Sequence, residues 1–408
     1  MINLGSPFTS PFSTPFGQVE MPQTPSVMTP QQGSPDDVKS LTRCVNYLAD
    51  YSGCGLWRML WPEHVLNAHQ KALCQSSSVM ITNPDFYHNV KIVRIQRQAT
   101  PHQLEFVKFL KNVIQPQFGC RLVYEIDDII FREDIPDYNK FKFAFESDEI
   151  RNTSMEIMNM CDEITVTCDF MKNYYREKTG KREVTVIPNF PPKFWIGNFF
   201  DEKRVYNLYQ KHKKKPRILY AGSGAHFDVD NKVKQRDDFD HVIDAIIKTR
   251  KEFQWVFVGA FPLKLRPYVS NREIEFHPWQ QMYSYPQKLH DLEIQMWVAP
   301  LQDNNFNRAK SDLKYIEASS FGLPVACQDI DTYKNAPIRF TSGEEMISKI
   351  RETLKDSQRY KNSARKWYQV AEKRFLENDE NLDCFLELFR LDYGDPKRIQ
   401  LGKYNTDI

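Results

Sequence analysis

The chain has 408 residues, and its 55 Lys and Arg nearly balance 53 Asp and Glu, for a net charge of +2. That length allows two separately cored domains, and the balanced charge offers no global field for nucleic acid or an anionic membrane, so any such binding is local. Eight cysteines with no C-x-x-C pair argue against structural zinc and fit free thiols in a reducing cytoplasm. No apolar run reaches transmembrane length, and no signal-peptide layout opens the chain.

Residues 1–38 read as a disordered, proline-rich tail. Pro-Phe follows Ser6, Ser10 and Thr14 at a spacing of four, and Pro22, Pro25, Pro30 and Pro35 come after. Proline at this density prevents helix and interior strand. A solvated extension is the plain reading; equally spaced phenylalanines would also suit an aromatic-binding groove.

Residues 39–192 form the first α/β unit. A strand over 44–48 meets a turn carrying Gly53 and Gly55, and a helix follows over 57–69. Such a turn lets the backbone approach a ligand, although two glycines are also ordinary turn chemistry. A strand over 90–96 and a helix over 102–114 come next, with Phe106, Phe109, Leu110, Val113 and Ile114 on one apolar stripe. The strand beginning at Arg121 ends in Glu125, Asp127 and Asp128. Ligand crevices lie at the carboxyl ends of strands in open α/β sheets, so these acids stand where chemistry happens. They could serve as a base for a hydroxyl, hold a cation, or simply cap the next segment. Strands over 162–167 and 183–187 flank a helix over 169–178, and the prolines at 188, 191 and 192 make a hinge.

Residues 193–215 are a basic linker ending in Lys213-Lys214-Lys215, which reads as a solvated face more than a phosphate contact. Residues 216–345 make the second unit. Its first strand runs into Gly222-Ser223-Gly224, a good place for a phosphate. A long connection over 225–236 leads to a helix over 238–251, then strands over 252–259, 273–276 and 296–301. Arg308 and Lys310 precede a helix that opens at Ser311, Asp312 and Leu313 and stops at Gly322-Leu323-Pro324. Two cations beside a helix N-terminus suit a diphosphate. Glu317 shares the inward face of that helix with Leu313 and Ile316. It needs a partner there: sugar hydroxyls, or an i,i+3 pair with Lys314. Residues 346–408 read as C-terminal helices.

The run from Glu317 to Val325, after a strand ending in Ala299-Pro300-Leu301, resembles the donor-site signature of GT-B glycosyltransferases. It is most similar to the retaining group that includes glycogen and sucrose synthases, and to compact phage-like versions of it. Val184 to Asn189 is similar to the end of the N-terminal domain of the same enzymes. The resemblance implies an α/β fold of two Rossmann-like, doubly wound domains facing a cleft, with the last helices crossing back to the first domain. It implies sugar transfer from a nucleotide sugar to an acceptor hydroxyl, retaining, with neither metal nor cofactor. Glu317 would bind ribose, and Arg308, Lys310 and the Ser311 helix end would bind the diphosphate. His277 falls where the base is held. The Gly53–Gly55 loop, with Glu125, lies on the acceptor side of the cleft, and Asp127 or Asp128 would face the acceptor.

Two family positions differ. The glutamate usually eight residues before Glu317 is Ala309, and the turn over 222–226 lacks the usual basic pair. The acceptor is open: a glycan and a hydroxymethylated DNA base both offer hydroxyls. Two alternatives stand beside sugar transfer. One is a GT-B-like binding protein without catalysis. The other is a nucleotide-dependent oxidoreductase, against which the missing G-x-G-x-x-G counts.

Overall fold

A computed structural model describes residues 41–228 and 236–390. The tail over 1–38, the middle of the 225–236 connection and the chain beyond 390 lie outside the described residues. Two six-stranded sheets organise the rest. The first contains β1 (Arg43–Tyr47), β2 (Leu73–Ser77), β3 (Val90–Gln96), β4 (Arg121–Glu125), β5 (Glu163–Val166) and β6 (Val184–Val186) in the order β2-β1-β3-β4-β5-β6. The second contains β7 (Arg217–Gly222), β8 (Gln254–Gly259), β9 (Glu275–Pro278), β10 (Met296–Ala299), β11 (Val325–Gln328) and β12 (Arg339–Phe340), ordered β12-β11-β10-β7-β8-β9. Every pairing is parallel.

Parallel sheets are covered on both faces, so their strands read as apolar runs instead of alternating patterns. β4, β10 and β11 are buried at every position. In each sheet the first strand is internal and the chain winds outward both ways. The order therefore reverses between β1 and β3, and between β7 and β10. Crevices open outside the carboxyl ends of strands at such reversals. The architecture is thus two doubly wound, Rossmann-like sheets, and it decides which loops meet.

Local details depart from the sequence reading. β2, LCQSS, was not anticipated, because it carries no apolar pattern; nor was the helix Asp148–Met160. The helix expected over 102–114 is α1 (Pro101–Phe109), capped by Thr100 and Gln103 through a reciprocal hydrogen-bond pair, and continued by a wide i→i+5 turn over Leu110–Ile114. The wide turn inserts an extra residue and shifts the stripe. Phe106, Leu110 and Ile114 stay buried, while Val113 is turned out to 42% exposure. The helix expected over 238–251 is confined to Ile243–Thr249, because Asp238 is drawn into a buried network instead.

α2 (Leu313–Ser320) is the helix behind the site. Asp312 stands at its N-cap but makes no cap hydrogen bond, since its carboxylate accepts from Arg374. The last described helix, α3 (Asp379–Arg390), packs on the first sheet's side. Arg121 donates to the Leu388 carbonyl at 3.2 Å, and the Arg94 guanidinium lies over the Phe385 ring.

Candidate functional site

The donor-side candidates surround the carboxyl ends of β7 and β10. Gly222 is glycine for a reason of space: a Cβ there would sit 2.6 Å from the Tyr220 hydroxyl. Ser223 Oγ accepts from the Ala225 backbone, tightening the turn that contains Gly224. Glu317 on α2 is 8% exposed, and its Oε2 accepts from the Tyr285 hydroxyl at 3.1 Å. Burial pushes its carboxyl up to about 7, against the opposing pull of Lys314 and Tyr285. Lys314 stands one turn earlier, with its ammonium 5.5 Å from the centre of the Tyr220 ring. No hydrogen bond or ion pair holds Lys314 among the described residues, so the i,i+3 pair with Glu317 acts through the field and not through contact. Burial lowers its pKa. Leu313 is the half-buried first residue of the helix.

Lys310, three residues before α2, packs over the Phe306 ring at 3.9 Å and donates to both oxygens of Asp128 at 3.0 and 2.9 Å. This pair crosses from one sheet's loops to the other's. Ser311 and Asn189 add a second link at 3.0 Å, and Arg374 ties the Asn189 carbonyl to Asp312.

On the facing side, the segments after β1, β3 and β4 bring charges together at the first sheet's reversal. Arg97 Nη2 donates to Asp50 Oδ2 at 2.6 Å, and Arg97 Nε lies 3.7 Å from Asp127 Oδ1. Asp50 Oδ1 accepts from the backbone of Ser52 and Gly55. A Cβ on Gly55 would overlap the Asp50 carbonyl oxygen, which explains that glycine, whereas Gly53 faces open space. Burial works to raise the Asp127 carboxyl, but Arg97, the Cys54 thiol, Arg58 and Lys310 outweigh it and hold it below the usual range. Asp127 is therefore ionised, beside a cation.

Between these halves lies a buried polar knot. Asp238 is fully buried and accepts from the Tyr138 hydroxyl, the Gln302 amide and Asn307 Nδ2 at 2.7–2.8 Å, and it pairs with His226 Nδ1 at 2.8 Å. Tyr138 follows β4, so the knot spans the seam. Phe306 and Ala309 are buried in the apolar cluster of the first sheet.

Three sequence candidates fall elsewhere. Glu125 does not face the cleft: it is fully buried, held by Arg58 at 2.7 Å, by Arg94 at 3.3 Å and by the Thr165 hydroxyl. These long-range partners hold its side chain in the core, and the two arginines compensate its charge. Arg308 turns away from Lys310 and makes a two-point pair with Asp303, at 44% side-chain exposure. His277 pairs with Glu275, which Arg217 holds in turn, so it is not joined to the Glu317 group. Beside it, Trp279 is 53% exposed, and its ring would meet a Cβ placed on Gly259.

Tyr285, Tyr220, Asp238, His226 and Tyr138 escaped the sequence reading, as did Asp50, Cys54 and Arg97. Asp50 and Arg97 had a usable signal, since each follows an apolar strand closely, as Asp127 does. Asp238 and Tyr138 had none; only the tertiary fold joins them.

No family model matches the chain, and no curated protein matches it. Solved structures do. HepE of Anabaena, solved with UDP and glucose, is 12% identical with a TM-score of 0.55, over 86% of this chain and 100% of its own. An alpha-glucosyltransferase solved with UDP and a 13-mer DNA containing an HMU base is 13% identical with a TM-score of 0.55, over 86% of this chain and 98% of its own. TarM is 11% identical with a TM-score of 0.51, over 76% of this chain and 56% of its own. The fold of this chain is accordingly GT-B.

Proposed function

We propose that the protein is a glycosyltransferase that moves a sugar from a nucleotide-diphosphate sugar to an acceptor hydroxyl. The observation that carries this is the array at the second sheet's reversal: buried Glu317 one turn behind Lys314, and Lys310 ahead of the helix end. A carboxylate pushed up to about 7 by burial gains from hydroxyl donors such as those of ribose. The lysines and the helix N-terminus suit the diphosphate. Trp279 offers a half-exposed ring for the base.

In this reading the bond between the sugar carbon and the β-phosphate oxygen breaks, and its electron pair stays on that oxygen. The acceptor oxygen bonds to the sugar carbon, and its proton passes to the leaving diphosphate or to Asp127 or Asp128. Lys310 and Lys314 stabilise the charge gathering on the phosphate, a role that needs no metal. Among the described residues no cluster of three or more His, Cys, Asp and Glu side chains could hold a metal ion. Retention of configuration rests on the sequence resemblance. The Asp50–Arg97–Asp127 group would face the acceptor. A hydroxymethylated DNA base is one acceptor class, supported by the DNA-bound neighbour; a glycan is the other. No described helix is long and apolar enough to cross a membrane, and a cytoplasmic location fits the free thiols.

The competing reading is a GT-B-like binding protein without catalysis, favoured by the buried Ala309 where family members carry a glutamate. Calorimetry with UDP and a panel of nucleotide sugars, followed by assay of UDP release with hydroxymethylated DNA and with glycans, tests both. Donor binding with turnover supports transfer. Binding without release from any donor favours the second reading, and no binding at all rejects both.

A further inference from the structure

The His226 ring lies against the same aromatic residue as Lys314. Its centre is 6.4 Å from that of Tyr220, edge to face, while the Lys314 ammonium stands 5.5 Å from the Tyr220 ring. His226 Nδ1 is committed to Asp238 at 2.8 Å, and Asp238 is fixed by three further donors. Nδ1 therefore carries the proton, which leaves a lone pair on Nε2. Nε2 has no hydrogen-bond partner among the described residues, and the side chain keeps 11% of its surface open. A second group is unsatisfied here. The Tyr220 hydroxyl is fully buried and has no partner among the described residues, next to Gly222 at the mouth of the turn. A buried hydroxyl left unpaired is the kind of group that a ligand or a water satisfies, and the open edge of the His226 ring lies beside it.

We propose that His226, oriented by Asp238, is a third diphosphate-binding group beside Lys310 and Lys314, taking up a proton at Nε2 as the donor binds. The proposal rests on the glycosyltransferase reading above. It also answers a gap in the sequence, since the turn over 222–226 has no lysine or arginine. A histidine that charges only when occupied supplies the missing cation.

Electrostatics support this. His226 is pushed down to about 4, chiefly by burial and then by Lys314, with Asp238 pulling the other way and Lys310 adding to the fall. The charged and titratable groups around it are thus Asp238 from its own connection, Lys314 from α2, Lys310 ahead of α2 and Tyr220 from β7. Asp237, next to Asp238, spends its carboxylate on the Asp228 and Phe239 amides. A bound diphosphate cancels the field of both lysines and adds its own attraction for an imidazolium, so the histidine's pKa rises on binding. Asp238 is already placed to stabilise that imidazolium through Nδ1. As the glycosidic bond breaks, the leaving phosphate gains a further charge, and the protonated ring meets it.

The test uses UDP as probe, with calorimetry in buffers of different ionisation enthalpy at about pH 6, on the full chain and on His226→Gln. Protons exchanged by UDP itself, by Glu317 and by Asp237, whose carboxyl burial pushes up to about 6, are common to both proteins and cancel in the difference. The wild type should take up more protons than the variant, and the variant should bind UDP about tenfold more weakly. Equal proton counts would overturn the His226 assignment alone. A wild type that does not bind UDP would overturn the functional reading and this inference with it. Nitrogen NMR of the His226 ring in the wild type avoids dependence on the variant's folding. Nε2 should shift to its protonated position when UDP is added, and an Nε2 that stays unprotonated with UDP bound rejects the proposal.

Discussion

Lys310 Nζ donates to both carboxylate oxygens of Asp128, joining the base ahead of α2 to the acid after β4 in one ion pair across the seam. From sequence the two residues belong to opposite substrates, Lys310 to the diphosphate and Asp128 to the acceptor. Their pairing means that an incoming diphosphate competes with Asp128 for the same ammonium. The side chains are 23% and 30% exposed, so the pair is screened and can be opened at modest cost.

Removing either partner should therefore act in opposite ways on binding. Lys310→Ala is expected to lower turnover by about a hundredfold, the scale of one lost oxyanion donor, with a much smaller loss of donor affinity. Asp128→Asn frees the ammonium and should tighten UDP binding a few-fold while slowing transfer. Initial-rate kinetics beside a UDP titration read both. A Lys310→Ala enzyme with normal turnover would remove Lys310 from the chemistry.

Glu317 predicts a pH dependence with a definite sign. Its folded value of about 7 lies above the ordinary carboxyl value of 4.5. The protonated folded state is favoured, so this contribution to stability is full below about pH 4.5 and is lost as pH rises through about 7. The loss is on the order of 3 kcal/mol. Urea unfolding at acid and mildly alkaline pH should show Glu317→Gln with a flatter profile than wild type. Glu317→Ala should also cost UDP binding about 1.5–3 kcal/mol. Unchanged UDP affinity would return Glu317 to a purely structural role.

Arg308 gives the contrasting case. It lies two residues from Lys310, but its guanidinium is spent on Asp303 at the surface. Arg308→Ala should leave UDP affinity and turnover within about twofold, since exposed pairs of this kind contribute little. A loss comparable to that of Lys310→Ala would show that Arg308 swings into the site.

What the sequence showed follows from what local pattern can encode. The helix around Glu317 was legible because an apolar strand precedes it, and Gly322 and Pro324 end it. The position of Asp127 and Asp128 just beyond β4 was legible because they follow an apolar strand directly. Glu125 misled, since a residue at a strand's end takes either the cleft or the core, and partners distant in sequence, Arg58, Arg94 and Thr165, decide which. The sequence offers Lys314 as a partner for Glu317 but gives no sign of its place beside the Tyr220 ring, where no hydrogen bond or ion pair holds it among the described residues. The Tyr138–Asp238 bond spans 100 residues and has no periodicity to betray it. Long-range polar partners are a property of the fold, and the folded chain is needed to find them.

The remaining prediction concerns Ala309. The resembled family places a sugar-binding glutamate there, and the simple inference is that restoring it would improve transfer. The structure points the other way. Ala309 is fully buried in the first sheet's cluster, with its carbonyl accepting from the Cys168 thiol at 3.7 Å. Thr332 donates to the Asn307 carbonyl nearby, and Phe306 is buried in the same cluster, so the backbone over 306–309 is pinned on two sides. A glutamate side chain at 309 would push a carboxylate into that apolar seam without a partner, and an uncompensated buried charge costs about 3–5 kcal/mol. The chain can avoid this only by opening the seam, which separates Lys310 from Asp128. Ala309→Glu is thus expected to lower the melting temperature markedly and to reduce transfer, while Ala309→Ser should be tolerated far better. Thermal unfolding and initial rates on both variants decide the matter. A stable Ala309→Glu protein with faster transfer would mean that the seam opens during catalysis and that residue 309 faces the sugar in the working state.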